Sequence, residues 1–149
     1  QDADVNGWIE SLGLTGRVHA PGRVAWSEVQ RAYEENEIFL FTSLRDSFGS
    51  QLLEAMSNGL AIVTLDHQGA HDFVPDEAGL KVPVTTPEET AERLADAIAA
   101  LYRQPERLAG MSAAGLAFAR TNEWTLKAKQ VTHLYDTITP QTPRREPVY

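Results

Sequence analysis

Residues 37–59 read Glu-Ile-Phe-Leu-Phe-Thr-Ser-Leu-Arg-Asp-Ser-Phe-Gly-Ser-Gln-Leu-Leu-Glu-Ala-Met-Ser-Asn-Gly, and they carry the clearest structural pattern of the chain. It opens with a short apolar run rich in aromatic side chains, which predicts a buried strand over residues 38–42. Apolar residues then recur at helical spacing over residues 52–56. The stretch therefore predicts a strand, a loop and a helix, with Phe48 and Gly49 at the junction of loop and helix.

This junction has the chemistry of an anion site. The first amides of a helix have no acceptor within the helix, and the helix dipole adds partial positive charge there, which suits a phosphate. Gly49 lets the backbone approach closely. Glu54, one turn into the helix, can accept hydrogen bonds from ribose hydroxyls, and Asp46 faces the space beyond the phosphates, where a hexose would fit. On spacing alone, Glu54 is explained as well by a solvated helix position and Asp46 by an ordinary loop acid.

The wider sequence resembles a known family. Residues 43–59, followed by Ala-Ile-Val-Thr-Leu-Asp at 61–66 and by Gly69, look like the nucleotide-sugar signature of family 4 (group 1) glycosyltransferases, retaining enzymes of the GT-B fold. The bacterial polysaccharide-type members are similar in carrying aspartate at the position of Asp46. The resemblance implies an α/β fold, a Rossmann-like parallel sheet flanked by helices with a helical C-terminal segment, as in the C-terminal half of a GT-B enzyme.

The resemblance also implies site residues. Asp46 and Glu54 stand at the two positions of the family's Glu-x7-Glu pair, so Asp46 is expected to contact the transferred sugar and Glu54 the ribose. Phosphate contacts are expected at the helix junction and in the loop after the next strand, and nucleobase contacts in an earlier loop, where the arginine is equally explained as a solvated residue. These binding residues are Ser47, Phe48, Gly49, Ser50, Gly69, Ala70, Arg23 and Val24.

One feature of the family is missing from this sequence. Family members place an Arg-x4-Lys pair upstream, whose two cations neutralise the diphosphate, whereas the first lysine here is Lys81 and no earlier arginine has that spacing. The opening ten residues read as a helix lead-in, which in the family follows the first strands. We therefore expect residues 1–138 to form a partial donor-binding domain without its first strands, completed by an N-terminal acceptor domain outside this chain.

Strand and helix signals alternate along the chain, which predicts a parallel sheet. Strands are predicted at residues 18–20, 38–42, 61–65 and 80–82. A capping box at Ser27 predicts a helix through Glu35, and Thr86, followed by proline, predicts the cap of another. Three consecutive helices are expected after Thr86, the second starting at Pro105. The proline-rich residues 139–149 predict a disordered tail.

Composition limits the partners and the compartment. The chain of 149 residues has no cysteine, so it has neither a disulfide framework nor a thiol nucleophile. The net charge of −8 disfavours binding to nucleic acid and to anionic membranes. There is no apolar run long enough to span a bilayer, and the four histidines lack metal-ligand spacing. We expect a cytoplasmic module that needs no metal and no cofactor beyond its donor substrate.

The sequence therefore favours the nucleotide-sugar-binding portion of a retaining glycosyltransferase, which transfers a hexose from a UDP- or GDP-sugar to a hydroxyl acceptor. This portion is expected to be inactive alone. One alternative is an epimerase-like GT-B enzyme, for which only Asp46, Glu54, His71 and Asp72 are available as proton-transfer groups. The other is a non-catalytic interaction module, in which replacing Glu54 by alanine would change no binding.

Overall fold

The computed structural model describes residues 4–138, and the tail predicted at residues 139–149 lies outside this described part. Strands and helices alternate in its first half, and three helices follow the last strand. The elements are α1 (Val5–Ser11), α2 (Trp26–Glu34), β1 (Ile38–Phe41), α3 (Ser50–Ser57), β2 (Ala61–Leu65), α4 (Gln68–Phe73), β3 (Gly79–Val82), α5 (Pro87–Arg103), α6 (Pro105–Thr121) and α7 (Trp124–Ile138).

The strands form one parallel sheet in the order β1-β2-β3. Ile38 of β1 pairs with Ala61 of β2, and Ile62 of β2 pairs with Gly79 of β3. The central strand β2 is buried along its whole length, as expected for a parallel strand covered by helices on both faces. Because the strands are parallel, their carboxyl ends lie at one edge, where the loops after β1 and β2 begin.

The two faces of the sheet belong to two core clusters, since alternate residues of β2 point to opposite faces. One cluster joins Ile62 to α3, α4 and the C-terminal part of α6, and includes Met56. The other joins Ala61, Val63 and Leu65 to α5 and the first half of α6, and includes Met111. Helix α6 therefore contributes to both cores. It approaches α3 closely because Gly115 has no side chain: a Cβ there would lie 3.2 Å from Cγ of Met56.

Most of the predicted elements are confirmed. Strands occupy the positions predicted at 38–42, 61–65 and 80–82 to within one residue at each end. The hydroxyl of Thr86 accepts a hydrogen bond from the amide of Glu89 at 3.3 Å, so the predicted cap of α5 is present. Helix α6 begins at Pro105, as predicted.

The strand predicted at residues 18–20 is wrong. Val18 forms only an isolated bridge with Thr15, and this region turns repeatedly, with positive φ at Gly13, Gly16 and Gly22. A strand needs a neighbour for its backbone hydrogen bonds, and within residues 4–138 no further strand lies beside this segment.

The cap predicted at Ser27 is also wrong. Helix α2 begins at Trp26 with Ala25 at the N-cap position, two residues before the predicted cap. Alanine has no side-chain acceptor, so the helix start relies on the other half of the capping box: the carboxylate of Glu28 accepts a hydrogen bond from the amide of Ala25 at 3.1 Å.

Helix α7 differs from the others after β3 in having no buried residue. Its large apolar side chains stay exposed, and Trp124 is 90% exposed. Across residues 4–138, no helix combines the length and the apolar character that crossing a membrane requires.

Candidate functional site

The loop after β1 is organised by Asp46. Its Oδ1 accepts hydrogen bonds from the amide of Phe48 at 3.0 Å and from the amide of Gly49 at 2.5 Å. Aspartate commonly closes loops in this way by bonding to the backbone two or three residues ahead. Within residues 4–138, Oδ2 of Asp46 has no hydrogen-bond partner, so one carboxylate oxygen remains for a ligand.

Gly49 turns the chain into α3. It is the N-cap residue, with φ 58° and ψ 66°, a left-handed conformation that favours glycine. Its surroundings also leave little room for a side chain, because a Cβ would lie 3.0 Å from Cδ1 of Leu52 and 3.3 Å from Cζ of Phe41. No side chain caps α3. The amides of Phe48 and Gly49 bond to Asp46, whereas those of Ser50 and Gln51 belong to the first turn of α3, where amides have no acceptor within the helix.

The loop after β2 packs directly on the loop after β1. The amide of Gly69 donates to the carbonyl oxygen of Asp46 at 3.1 Å. A Cβ on Gly69 would overlap the carbonyl group of Ser47, so only glycine permits this approach. The side chain of Ala70 is buried in the core. Because the side chain of Ala70 is buried, any ligand contact at this residue must involve its backbone atoms. The ligand contacts expected of the two loops stay a prediction.

Glu54 lies one turn into α3 and is half-buried. Its Oε2 accepts a hydrogen bond from the hydroxyl of Tyr33 on α2, at 3.3 Å. Burial raises the pKa of Tyr33 to about 12, and the charge and hydrogen bond of Glu54 act in the same direction. Tyr33 is therefore protonated at neutral pH and acts as a donor. Sequence reasoning missed this tyrosine, because the two residues are 21 positions apart and no motif connects them.

A cavity of about 500 Å³ adjoins the outer face of α3, a volume within the usual range for small-molecule sites. It brings together three of the predicted site residues, Phe48, Ser50 and Glu54. Its other lining residues come from α3, from α6, from the turn between α6 and α7, and from the first residue of α7: Leu53, Ser57, Leu116, Ala119, Arg120, Glu123 and Trp124. No sequence pattern indicated that Arg120, in the last turn of α6, shares a cavity with Glu54.

A second cavity, of about 550 Å³, lies between α2, β1 and the loop before α2. Val24, predicted to contact the nucleobase, lines this cavity together with His19, Tyr33 and Phe39. Arg23 is exposed and is not among the lining residues. Tyr33 borders this second cavity while its hydroxyl reaches Glu54 in the first, so Tyr33 connects the predicted base and ribose regions.

The loop after β2 also carries a charged cluster. Nδ1 of His71 lies 2.5 Å from Oδ1 of Asp66, and this hydrogen bond is the main cause that raises the pKa of His71. Nζ of Lys81 donates to the carbonyl oxygen of His71 at 3.0 Å and to Oδ1 of Asp76 at 2.8 Å. The bond from Lys81 lowers the pKa of Asp76. Among residues 4–138, no three histidine or acidic side chains group closely enough to hold a metal ion.

Comparison with known proteins identifies the family. Residues 2–117 match the family model described as glycosyl transferases group 1. The chain belongs to this family. Among curated proteins, a phosphatidyl-myo-inositol mannosyltransferase of Mycobacterium tuberculosis is similar to this group 1 chain, with 35% identity over 94 residues, which is 62% of this chain and 25% of the mannosyltransferase. The chain thus spans about a quarter of the length of that relative.

Solved structures confirm the predicted fold class, the Rossmann-like half of a GT-B glycosyltransferase. Sucrose-phosphate synthase of Thermosynechococcus elongatus superposes with a TM-score of 0.76 at 24% identity, over 90% of this group 1 chain and 33% of the synthase. The pneumococcal O-GlcNAc transferase GtfA, in complex with UDP and GlcNAc, superposes with a TM-score of 0.72 at 23% identity, over 89% of this chain and 28% of GtfA.

Proposed function

We propose that the chain is the donor-binding portion of a retaining glycosyltransferase, which transfers a hexose from a UDP- or GDP-sugar to a hydroxyl acceptor. One observation carries the proposal: the loop built by Asp46 and Gly49 delivers the start of α3 and the carboxylate of Glu54 to the same cavity. Membership of the group 1 family supports the reaction class.

In this proposal the diphosphate lies against the amides of Ser50 and Gln51, where the helix dipole favours negative charge. Departure of the diphosphate dominates the barrier, so donors fixed in advance toward the developing charge are the main catalytic contribution. Asp46 fixes these donors by holding the loop, and its Oδ2 is available to the sugar. Arg120 adds one cationic side chain to the cavity.

The acceptor hydroxyl is proposed to bind in a second, N-terminal domain. Support comes from the length of the relatives, because this chain covers only 33% of sucrose-phosphate synthase and 25% of the mannosyltransferase. We assign no general base among the described residues. We therefore expect this chain by itself to bind the donor nucleotide without transferring sugar.

Calorimetric titration of the chain with UDP and with GDP tests the proposal and identifies the base. We expect measurable binding of one nucleotide and a loss of about tenfold or more in the Glu54→Ala variant, since hydrogen bonds to a charged group contribute about 1.5–3 kcal/mol. Glu123→Ala is the matched control, because Glu123 is an acid in the same cavity that the proposal leaves without a ligand contact. We expect it to change the affinity less than about twofold.

Two results would contradict the proposal. If the chain binds neither nucleotide, or if Glu54→Ala binds as the wild type does, the site is not a donor site of this design, and the interaction-module alternative gains support. An epimerase-like enzyme would pass the same binding test. Incubating the full-length protein with the donor and a hydroxyl acceptor separates it, because a transferase forms a glycoside and an epimerase forms an isomeric donor.

A further inference from the structure

We infer that Tyr33 is a positioning residue for Glu54, and that it sets how strongly the site prefers a ribonucleotide to its 2′-deoxy counterpart. This inference rests on the proposed function, because it takes Glu54 as the ribose contact. It concerns a residue of α2 that lies outside the motif from which the site was predicted.

The ring of Tyr33 is fixed by its packing. Tyr33 is 7% exposed and belongs to the core cluster that contains α3. Its ring meets Phe39 of β1 edge to face, with centroids 5.7 Å apart and planes at 63°. Phe39 in turn stacks on Phe41 at 6.2 Å. The tyrosine hydroxyl is therefore presented at a defined position on the side of α3.

That hydroxyl has a single partner among residues 4–138, Oε2 of Glu54. A buried hydroxyl without a partner is unfavourable, so the bond restrains both side chains. Glu54 is half-buried, and a glutamate that is free to rotate loses that freedom when it binds a ligand. Because the bond to Tyr33 already restricts the side chain of Glu54, less conformational freedom is lost when a ligand binds. Oε1 remains for the ribose hydroxyls.

Replacing Tyr33 by phenylalanine removes the hydroxyl and keeps the ring. The carboxylate of Glu54 then regains its freedom, which weakens the contact with the ribose and leaves contacts with the phosphates unchanged. A 2′-deoxynucleotide lacks one of the two vicinal hydroxyls and depends less on Glu54. The variant should therefore lose affinity for the ribonucleotide selectively, whereas general damage to packing would weaken both ligands alike.

The test is calorimetric titration of the chain with UDP and 2′-deoxy-UDP, or with the guanosine pair if GDP is the nucleotide bound. We expect Tyr33→Phe to weaken the ribonucleotide about threefold to tenfold and the deoxynucleotide less than about twofold. Tyr102→Phe is the control, since it removes a hydroxyl from a tyrosine that is 86% exposed. It should change neither affinity. Thermal unfolding of Tyr33→Phe verifies that the variant is folded.

The double variant Tyr33→Phe with Glu54→Ala supplies the second measurement. If Tyr33 acts through Glu54, the double variant binds both nucleotides as Glu54→Ala alone does. The inference is overturned if Tyr33→Phe keeps the wild-type ratio of the two affinities, lowers both affinities equally, or adds to the effect of Glu54→Ala. If the wild-type chain binds no nucleotide, the proposed function fails and this inference fails with it.

Discussion

Asp46 holds three backbone amides at once, two through its side chain and one, from Gly69, through its carbonyl oxygen. The side-chain part of this arrangement depends on the short reach of aspartate, because the bonded amides lie only two and three residues ahead. A glutamate carries its carboxylate one methylene farther from its own backbone, so it would have to reach the same amides with a different side-chain conformation. The aspartate at this position is therefore explained by the loop it closes.

The pair formed by His71 and Asp66 should make the stability of the fold depend on pH. The hydrogen bond to Asp66 raises the pKa of His71 above the usual 6.5, so the pair stabilises the fold fully at pH values below the unfolded pKa. That stability is lost as the pH rises through the raised folded pKa. We expect a histidine NMR titration to show a raised midpoint for His71, and Asp66→Asn to return it toward 6.5. An unchanged midpoint in Asp66→Asn would show that the bond does not form in solution.

Helix α4 begins with a residue in a strained backbone conformation. Gln68, the first residue of α4, has φ 45°, which is unfavourable for any side chain. The left-handed conformation costs about 1–2 kcal/mol in a non-glycine residue, and the greater backbone entropy of glycine offsets part of that cost. We expect Gln68→Gly to raise the free energy of unfolding by about 0.5–1 kcal/mol, measured by denaturant titration.

Gln30 offers the matched control, because it is an exposed glutamine inside α2. A glycine there should lower the free energy of unfolding by about 1 kcal/mol, the usual penalty within a helix. Should both variants lose stability to the same extent, Gln68 would not be strained in solution.

Local sequence patterns predicted elements well where those elements have their partners among the described residues. The apolar runs of β1 and β2 pair with each other, and Thr86 and Pro105 start their helices by local chemistry. The run near Val18 has a similar pattern but only a single bridge. A strand depends on its neighbour, which a local pattern does not contain.

The residues of the candidate site fall into two groups: those that a local sequence motif predicted, and those that only the packing of distant segments brings to the site. Phe48, Ser50 and Glu54 were predicted together from the loop-to-helix junction and from the family resemblance around it, and they share a cavity. Tyr33 and Arg120 reach that region from α2 and α6 through packing of distant segments. Such contacts follow from the assembled core, so no motif in the sequence indicated them.

The distribution of burial predicts unequal local stability. Helix α3 and strand β2 contain fully buried residues, whereas α1 and α7 contain none. Segments with few buried contacts open at low free energy. We expect hydrogen exchange measured by mass spectrometry to show strong protection in β2 and α3 and little in α1 and α7. Protection of α7 equal to that of β2 would indicate that its apolar side chains are covered in solution, for instance by a second copy.

The burial of Met56 and Met111 gives the chain a further property. These are its two methionines, and with no cysteine they carry all of its sulfur. Met56 is fully buried and Met111 is 6% exposed, one in each core cluster. Oxidants attack sulfur according to its exposure, so the folded chain presents almost no sulfur to peroxide. Conversion of either thioether to a sulfoxide would require the core to open first, so the appearance of this modification would record unfolding.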